Sequence, residues 1–123
     1  MKTALIIEDN ADNMELITFI LGSNGYRTLR AETGQQGLDL VLAERPDFVI
    51  LDIQLPDIDG LTVLRMIRDS KADGTIPVIA MTSFAMAGDR EQLLAAGCTG
   101  YIEKPIDPAK VIHQIQQIVG DGA

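Results

Sequence analysis

The chain is poor in the residues that build covalent or metal staples. It has a single cysteine, Cys98, and a single histidine, His113. An internal disulfide is therefore excluded, as is a Cys-rich or His-based zinc cluster. There is no tryptophan, and Tyr26 and Tyr101 are the only tyrosines. Positive charge is scarce: 10 basic residues stand against 18 acidic ones, for a net charge of −8 and a pI near 4.4. That balance argues against a nucleic acid or an anionic membrane as partner. No apolar run approaches the ~20 residues of a membrane span. After Met1-Lys2-Thr3 only Ala4 to Ile7 are apolar before Glu8-Asp9, short of the roughly 7–15 apolar residues of a signal peptide. The expectation is a cytoplasmic chain. What is present is ordinary for a globular domain: 46 % hydrophobic and 23 % charged residues in a length of 123. Against a typical ~150 residues per domain, this predicts one domain with a core large enough to need no staples.

Along the chain, apolar runs alternate with amphipathic segments. Ala4 to Ile7 is wholly apolar and stops at Glu8-Asp9. Met14, Ile17, Ile20 and Leu21 then fall at helical spacing, with Asp12 and Glu15 resembling a capping box and Asn24-Gly25 as the stop. Tyr26 to Ala31 alternates like a strand. Thr33 can cap a helix carrying Leu38, Val41 and Leu42, which ends before Pro46. Phe48 to Leu51 is apolar and stops at Asp52; Ile53 to Gly60 reads as a loop; Leu61, Leu64 and Ile67 mark a third helix ending near Ser70. Pro77 to Met81 is apolar and stops at Thr82, and a fourth helix is expected over Asp89 to Ala96, ended by Gly97. Tyr101 to Glu103 is a short strand stopped at Lys104-Pro105. Asp107 is expected to cap a last helix with Pro108 first and Val111, Ile112, Ile115, Ile118 and Val119 on its buried face.

Five strands alternating with five helices predict an α/β fold with a parallel sheet covered on both faces. The first, third and fourth strands are apolar throughout, as central strands are. The second and fifth are mixed, as edges are. This fits a doubly wound, flavodoxin-like sheet in the order 2-1-3-4-5, although the pattern by itself does not order the central three strands.

Four of these strands end on Glu8-Asp9, Asp52, Thr82 and Lys104. In an open parallel sheet, ligands bind beyond the carboxyl ends of the strands, at the switch point. With the order 2-1-3-4-5 that point lies between the first and third strands, so Glu8, Asp9 and Asp52 should converge. Three carboxylates in one cleft repel strongly unless a cation sits among them, and hard oxygen donors suit Mg²⁺. A cation, a lysine and a hydroxyl around one carboxylate suit phosphoryl transfer to it.

Together these residues resemble the receiver domains of two-component response regulators. Glu8-Asp9 looks like the family's acidic metal pair. Leu51-Asp52-Ile53-Gln54-Leu55-Pro56 with Gly60 looks like its phosphoacceptor motif. Thr82 matches the hydroxyl position, Tyr101 the aromatic switch position, and Lys104-Pro105 the lysine-proline pair. The family has the 2-1-3-4-5 order, so the two fold expectations are not independent. The resemblance implies that Asp52 accepts a phosphoryl group from a phosphohistidine of a sensor histidine kinase or histidine phosphotransfer protein. It implies Mg²⁺ on Asp9, Asp52 and the Gln54 backbone carbonyl, with Glu8 acting through water. It also implies catalytic support from Lys104 and Thr82, a Thr82–Tyr101 switch, a cis Lys104-Pro105 bond, and output to a downstream protein through the fourth helix, fifth strand and fifth helix. Gln54 replaces the more usual Met or Asn, and Ser83 the usual Ala. The segment from Phe84 to Arg90, with Ala96-Gly97 and Tyr101, is similar to single-domain cell-division regulators and to hybrid-kinase receivers. Residues 1–123 are expected to form one receiver domain; the Met1 start and short tail after Val119 favour a freestanding regulator without an effector domain.

Other readings of the same residues stand beside this one. Glu8-Asp9 can cap a helix, Asp52 can be a solvated loop acid, Thr82 and Lys104 can be structural, and Tyr101 can be a packed edge aromatic. Cys98 reads as a small buried hydrophobe and His113 as solvated. A flavodoxin-like electron carrier needs a Ser/Thr/Gly phosphate loop after the first strand, where this chain has Glu8-Asp9-Asn10. An aspartyl-intermediate phosphatase commonly presents Asp-x-Asp, whereas here Asp52-Ile53-Gln54 lacks the second acid. A docking-only receiver would not need all five key positions. The expected chemistry is stoichiometric phosphoryl acceptance and loss, not turnover of an external substrate.

Overall fold

A computed structural model describes residues 2–70, 75–83 and 87–120. The order of elements is β1 (Thr3–Ile7), α1 (Ala11–Ser23), β2 (Arg27–Ala31), α2 (Gly34–Glu44), β3 (Phe48–Asp52), α3 (Gly60–Asp69), β4 (Val78–Thr82), α4 (Ala87–Ala95), β5 (Gly100–Glu103) and α5 (Val111–Val119). The five strands form one parallel sheet in the order β2-β1-β3-β4-β5. β3 and β4 are buried along their whole length, while β2 and β5 expose residues at the edges. The apolar runs are therefore the covered strands and the mixed ones the edges, as expected.

Successive residues of a strand face opposite sides of the sheet, and the core divides accordingly. Leu5, Ile7, Val49, Leu51, Val78 and Ala80 pack with Leu38 and Val41 of α2 and Val63, Leu64 and Ile67 of α3. Ala4, Ile6, Phe48, Ile50, Ile79 and Met81 pack on the other face with Met14, Ile17 and Leu21 of α1 and Val111 and Ile115 of α5. At Gly37 a Cβ would lie 2.3 Å from Ile7 Cδ1, so α2 rests closely on β1. Cys98 is buried and His113 exposed, as the sequence predicts. Among the described residues no helix is long and apolar enough to cross a membrane.

Several expected boundaries move. The cap of α1 is Asn10, whose side chain accepts the Asn13 N–H at 2.9 Å, not Asp12. The chain turns into the helix as soon as it leaves the acidic pair, so Asp12 falls inside the first turn, where its charge still complements the helix dipole. Glu15 pairs instead with Arg30 at 3.0 Å on the surface. Thr33 caps α2 through Gln36 N–H, as expected, and Arg45 closes that helix in the left-handed region at φ 46° before Pro46. α4 starts at Ala87, ahead of the expected Asp89. Asp107 does close a turn, its Oδ1 accepting from Ala109 at 2.9 Å and its carbonyl from Lys110 and Val111. Regular helix begins only at Val111, because φ −117° takes Lys110 off helical geometry. The Lys104-Pro105 bond is cis. Residues 84–86, part of the segment likened to cell-division regulators, lie outside the described residues.

Candidate functional site

All five strands run the same way, so their carboxyl ends share one rim. β1 leads through α1 to β2 on one side, and β3 lies on the other. The loops leaving β1 and β3 therefore diverge and open a crevice between them. Regular pairing continues one residue past the ends of β1, β3 and β5, which fixes the residues that project there. Glu8 N–H donates to Ala31 O at 2.9 Å, Ile53 N–H to Met81 O at 3.1 Å, and Lys104 N–H to Thr82 O at 2.8 Å.

Glu8, Asp9 and Asp52 each bring a carboxylate oxygen to within 4.8 Å of the others. Glu8 and Asp52 are buried and Asp9 is exposed. The Lys104 ammonium reaches in from the far side, 3.0 Å from Glu8 Oε1 and 3.3 Å from Asp52 Oδ1. Asp52 Oδ1 also accepts the Gln54 N–H at 3.0 Å, and Glu8 Oε2 the Asn10 N–H at 3.4 Å. Thr82 is buried at the end of β4, one residue beyond Met81, the register partner of Asp52. Tyr101 is half-buried on β5 against the α2/α3-side core. Gln54 is exposed, and Ser83 Oγ donates to its Oε1 at 3.5 Å. The expected acids and the lysine are thus brought together, Thr82 lies at the adjacent strand end, and Tyr101 sits apart on the sheet edge.

The electrostatics of this cluster are unbalanced. One ammonium faces three carboxyl groups. Burial, then the hydrogen bond and charge of Glu8, push the Asp52 carboxyl up to about 6 despite the Gln54 N–H and Lys104. Burial alone would lower Lys104, but the hydrogen bond to Glu8 and the charges of Asp52 and Glu8 outweigh it and hold the ammonium above its ordinary range. Glu8 Oε1 is buried, with the Lys104 ammonium 3.0 Å away. A crowded, oxygen-only donor set whose three carboxyl groups outnumber the one ammonium fits a small hard divalent cation such as Mg²⁺.

The loop from Ile53 to Asp59 follows Asp52 directly, and its closure depends on glycine. At Gly60 a Cβ would lie 2.4 Å from Ile53 Cα and 2.9 Å from the Asp52 carbonyl oxygen, both backbone atoms. Gly60 N–H donates to Ile53 O at 3.1 Å across the neck of this loop. The role of Asp57 in the loop was not legible in the sequence, because its partners are 22 and 23 residues away on α2.

The family model of the response regulator receiver domain matches residues 4–116. The polar-differentiation response regulator DivK of Brucella anthropi is 42 % identical over 120 residues, covering 98 % of each chain. The receiver domain of a sensor histidine kinase from Pseudomonas aeruginosa, solved with magnesium coordinated in its active site cleft, superposes with a TM-score of 0.87 at 34 % identity, covering 98 % of each chain. A chemotaxis response regulator of Vibrio cholerae shares the fold with a TM-score of 0.92 at 22 % identity, over 96 % of this chain and 98 % of that one. With the acidic rim, the sheet order and these likenesses in agreement, the chain belongs to the response regulator receiver domain family.

Proposed function

We propose that this chain is a phosphorylation-controlled switch in which Asp52 accepts a phosphoryl group from a phosphohistidine of a sensor histidine kinase or a histidine phosphotransfer protein. The observation that carries this reading is the buried Asp52 carboxylate, 3.3 Å from the Lys104 ammonium and within 4.8 Å of the Glu8 and Asp9 oxygens. Asp9, Asp52 and the Gln54 carbonyl would hold Mg²⁺, with Glu8 acting through water. When bound, the ion supplies positive charge against the oxygens of the transferring group. An Asp52 oxygen attacks phosphorus as the P–N bond breaks; the electron pair returns to the imidazole nitrogen, which takes up a proton. Lys104 donates to a phosphoryl oxygen, and the Thr82 hydroxyl supplies a further hydrogen bond. The acceptor is consumed once per event, so the chain acts as a stoichiometric phosphoacceptor, not as an enzyme on an external substrate. We place it in the cytoplasm.

Output is read on the α4–β5–α5 face. A cleft of about 420 Å³ lies there, lined by Leu94, Tyr101, Gln114, Gln117 and Ile118 among others. The phosphorylated state stabilises an arrangement already present as a minor population, with Thr82 and Tyr101 shifting together, and a downstream protein binds that arrangement.

The test is uptake from acetyl phosphate, read by intact mass with and without Mg²⁺. The wild type should gain one hydroxylamine-labile phosphoryl group, only with Mg²⁺, and Asp52→Asn should gain none. An equal adduct on Asp52→Asn would move the acceptor elsewhere. Repeated turnover of a small phosphate ester would favour a hydrolase.

A further inference from the structure

The first turn of α2 has an unusual set of partners. A helix start leaves four N–H groups without acceptors inside the helix. Here the Thr33 Oγ1 takes one of them, the Gln36 N–H, while the Thr33 carbonyl accepts the first intrahelical bond from Gly37. Two more, those of Gly34 and Gln35, are taken by the β3–α3 loop. Asp57 Oδ1 accepts the Gly34 N–H at 2.8 Å, and Asp57 Oδ2 accepts the Gln35 N–H at 3.1 Å. Both oxygens of one carboxylate are therefore used, each on a different amide, at the positive end of the helix dipole. These bonds hold the carboxyl below its ordinary range. The contact is close because residue 34 is glycine. A Cβ there would lie 2.8 Å from Val63 Cγ2 and 3.2 Å from Ile58 Cβ, and would push α2 off the loop.

The same loop begins at the phosphoacceptor. Its neck is closed by Gly60 on Ile53, and Ile53, Leu55 and Ile58 are half-buried against the α2/α3-side core. Gln54 lies between that neck and Asp57, and its N–H holds Asp52 Oδ1 at 3.0 Å. Asp57 ties this loop to the first turn of α2 through both of its carboxylate oxygens. We propose that Asp57 is a positioning residue: by anchoring the loop to the first turn of α2, it holds the Gln54 backbone in the place that the phosphoacceptor and its cation require. This rests on the proposed reading of the site. Asp57 touches neither the acidic cluster nor the transferring group, and acts only through the loop. Partners of this kind, one step removed from the ligands, commonly change metal affinity by about 10–100-fold when lost.

The experiment compares Asp57→Ala, Asp57→Asn and Thr33→Ala with the wild type. Thr33→Ala is the control, because it removes a cap from the same helix turn without touching the loop. Two quantities are read on the folded proteins: amide hydrogen exchange at Gln54 without metal, and the Mg²⁺ dissociation constant from calorimetric titration with the ion alone. Asp57→Ala should speed exchange at Gln54 and weaken Mg²⁺ by about tenfold. Asp57→Asn, which keeps one acceptor oxygen, should fall between it and the wild type, and Thr33→Ala should leave both quantities unchanged. Unchanged Gln54 exchange in Asp57→Ala overturns the inference, as does an equal change in Thr33→Ala, which would make Asp57 a helix cap and nothing more. A wild type that takes up no Mg²⁺ overturns the reading of the site instead. The exchange comparison still decides whether Asp57 holds the loop.

Discussion

At the scale of single residues, the chemistry turns on the imbalance around Asp52. Its carboxyl is raised from 3.8 to about 6 in the fold, chiefly by burial. The folded state therefore keeps this proton to higher pH than the unfolded chain does. The favourable contribution is complete below 3.8, is lost progressively up to about 6, and stays lost above that. At roughly 1.4 kcal/mol per pKa unit, the whole effect is at most about 3 kcal/mol. Asp52→Asn removes the charge while keeping the shape. In chelator, urea unfolding should show this variant more stable than the wild type by roughly 1–3 kcal/mol at pH 7.5, with a smaller gain at pH 5. An equal gain at both pH values would show that ionisation of Asp52 is not the cause. A site that is costly to ionise when empty gains most from a cation.

At the scale of elements, the rim is made by strands that end where they must. β1, β3 and β4 are apolar until Ile7, Leu51 and Met81, and the next residue in each is Glu8, Asp52 or Thr82, all buried. Burying polar groups at the edge of an apolar core is tolerated because the pairing of β1 and β3 runs on for one more hydrogen bond and the cluster supplies partners. The β3–α3 loop is the least forgiving connection. Gly60→Ala would drive a methyl group against backbone atoms of Ile53 and Asp52, which cannot rotate away as a side chain can. We expect a loss of about 1–3 kcal/mol in thermal or urea unfolding. Phosphoryl uptake should fall as well, because the Asp52 backbone itself must move. Unaltered stability and uptake would mean that the loop backs away from Gly60 without disturbing the acceptor.

For the whole molecule, the two halves of the core stabilise the sheet from both faces and leave the rim to function. Any cation that binds only the folded rim must raise the stability of the entire domain, by about 2.7 kcal/mol at 100 times its dissociation constant. For a chain of this size that is a rise of several degrees in melting temperature. Mg²⁺ should produce this rise at pH 7.5 in the wild type, and Asp9→Asn should lose most of it, since Asp9 is the exposed member of the acidic cluster and its replacement leaves the core intact. Equal shifts in both proteins would point to nonspecific binding by a chain of net charge −8.

Much of this was legible in the sequence, and for physical reasons. The apolar runs Ala4 to Ile7, Phe48 to Leu51 and Pro77 to Met81 can be satisfied only by strands covered on both faces. That requirement, with the mixed edges around Arg27–Ala31 and Gly100–Glu103, placed the edge strands, while the order of the central three came from the family resemblance and the tertiary structure. Glu8, Asp9, Asp52 and Lys104 were legible because a strand end in a parallel sheet has only one place to point. Helix starts were read less well. Asn10 displaced Asp12 because a cap depends on where the chain leaves the sheet, and α5 waited until Val111 for the same kind of reason. Only the tertiary structure decided that Asp57 meets the Gly34 and Gln35 amides, that Gly60 must have no side chain, and that Asp52 holds its proton to about 6. Periodicity reports which face of an element is buried, whereas these three depend on distances between segments far apart in the chain.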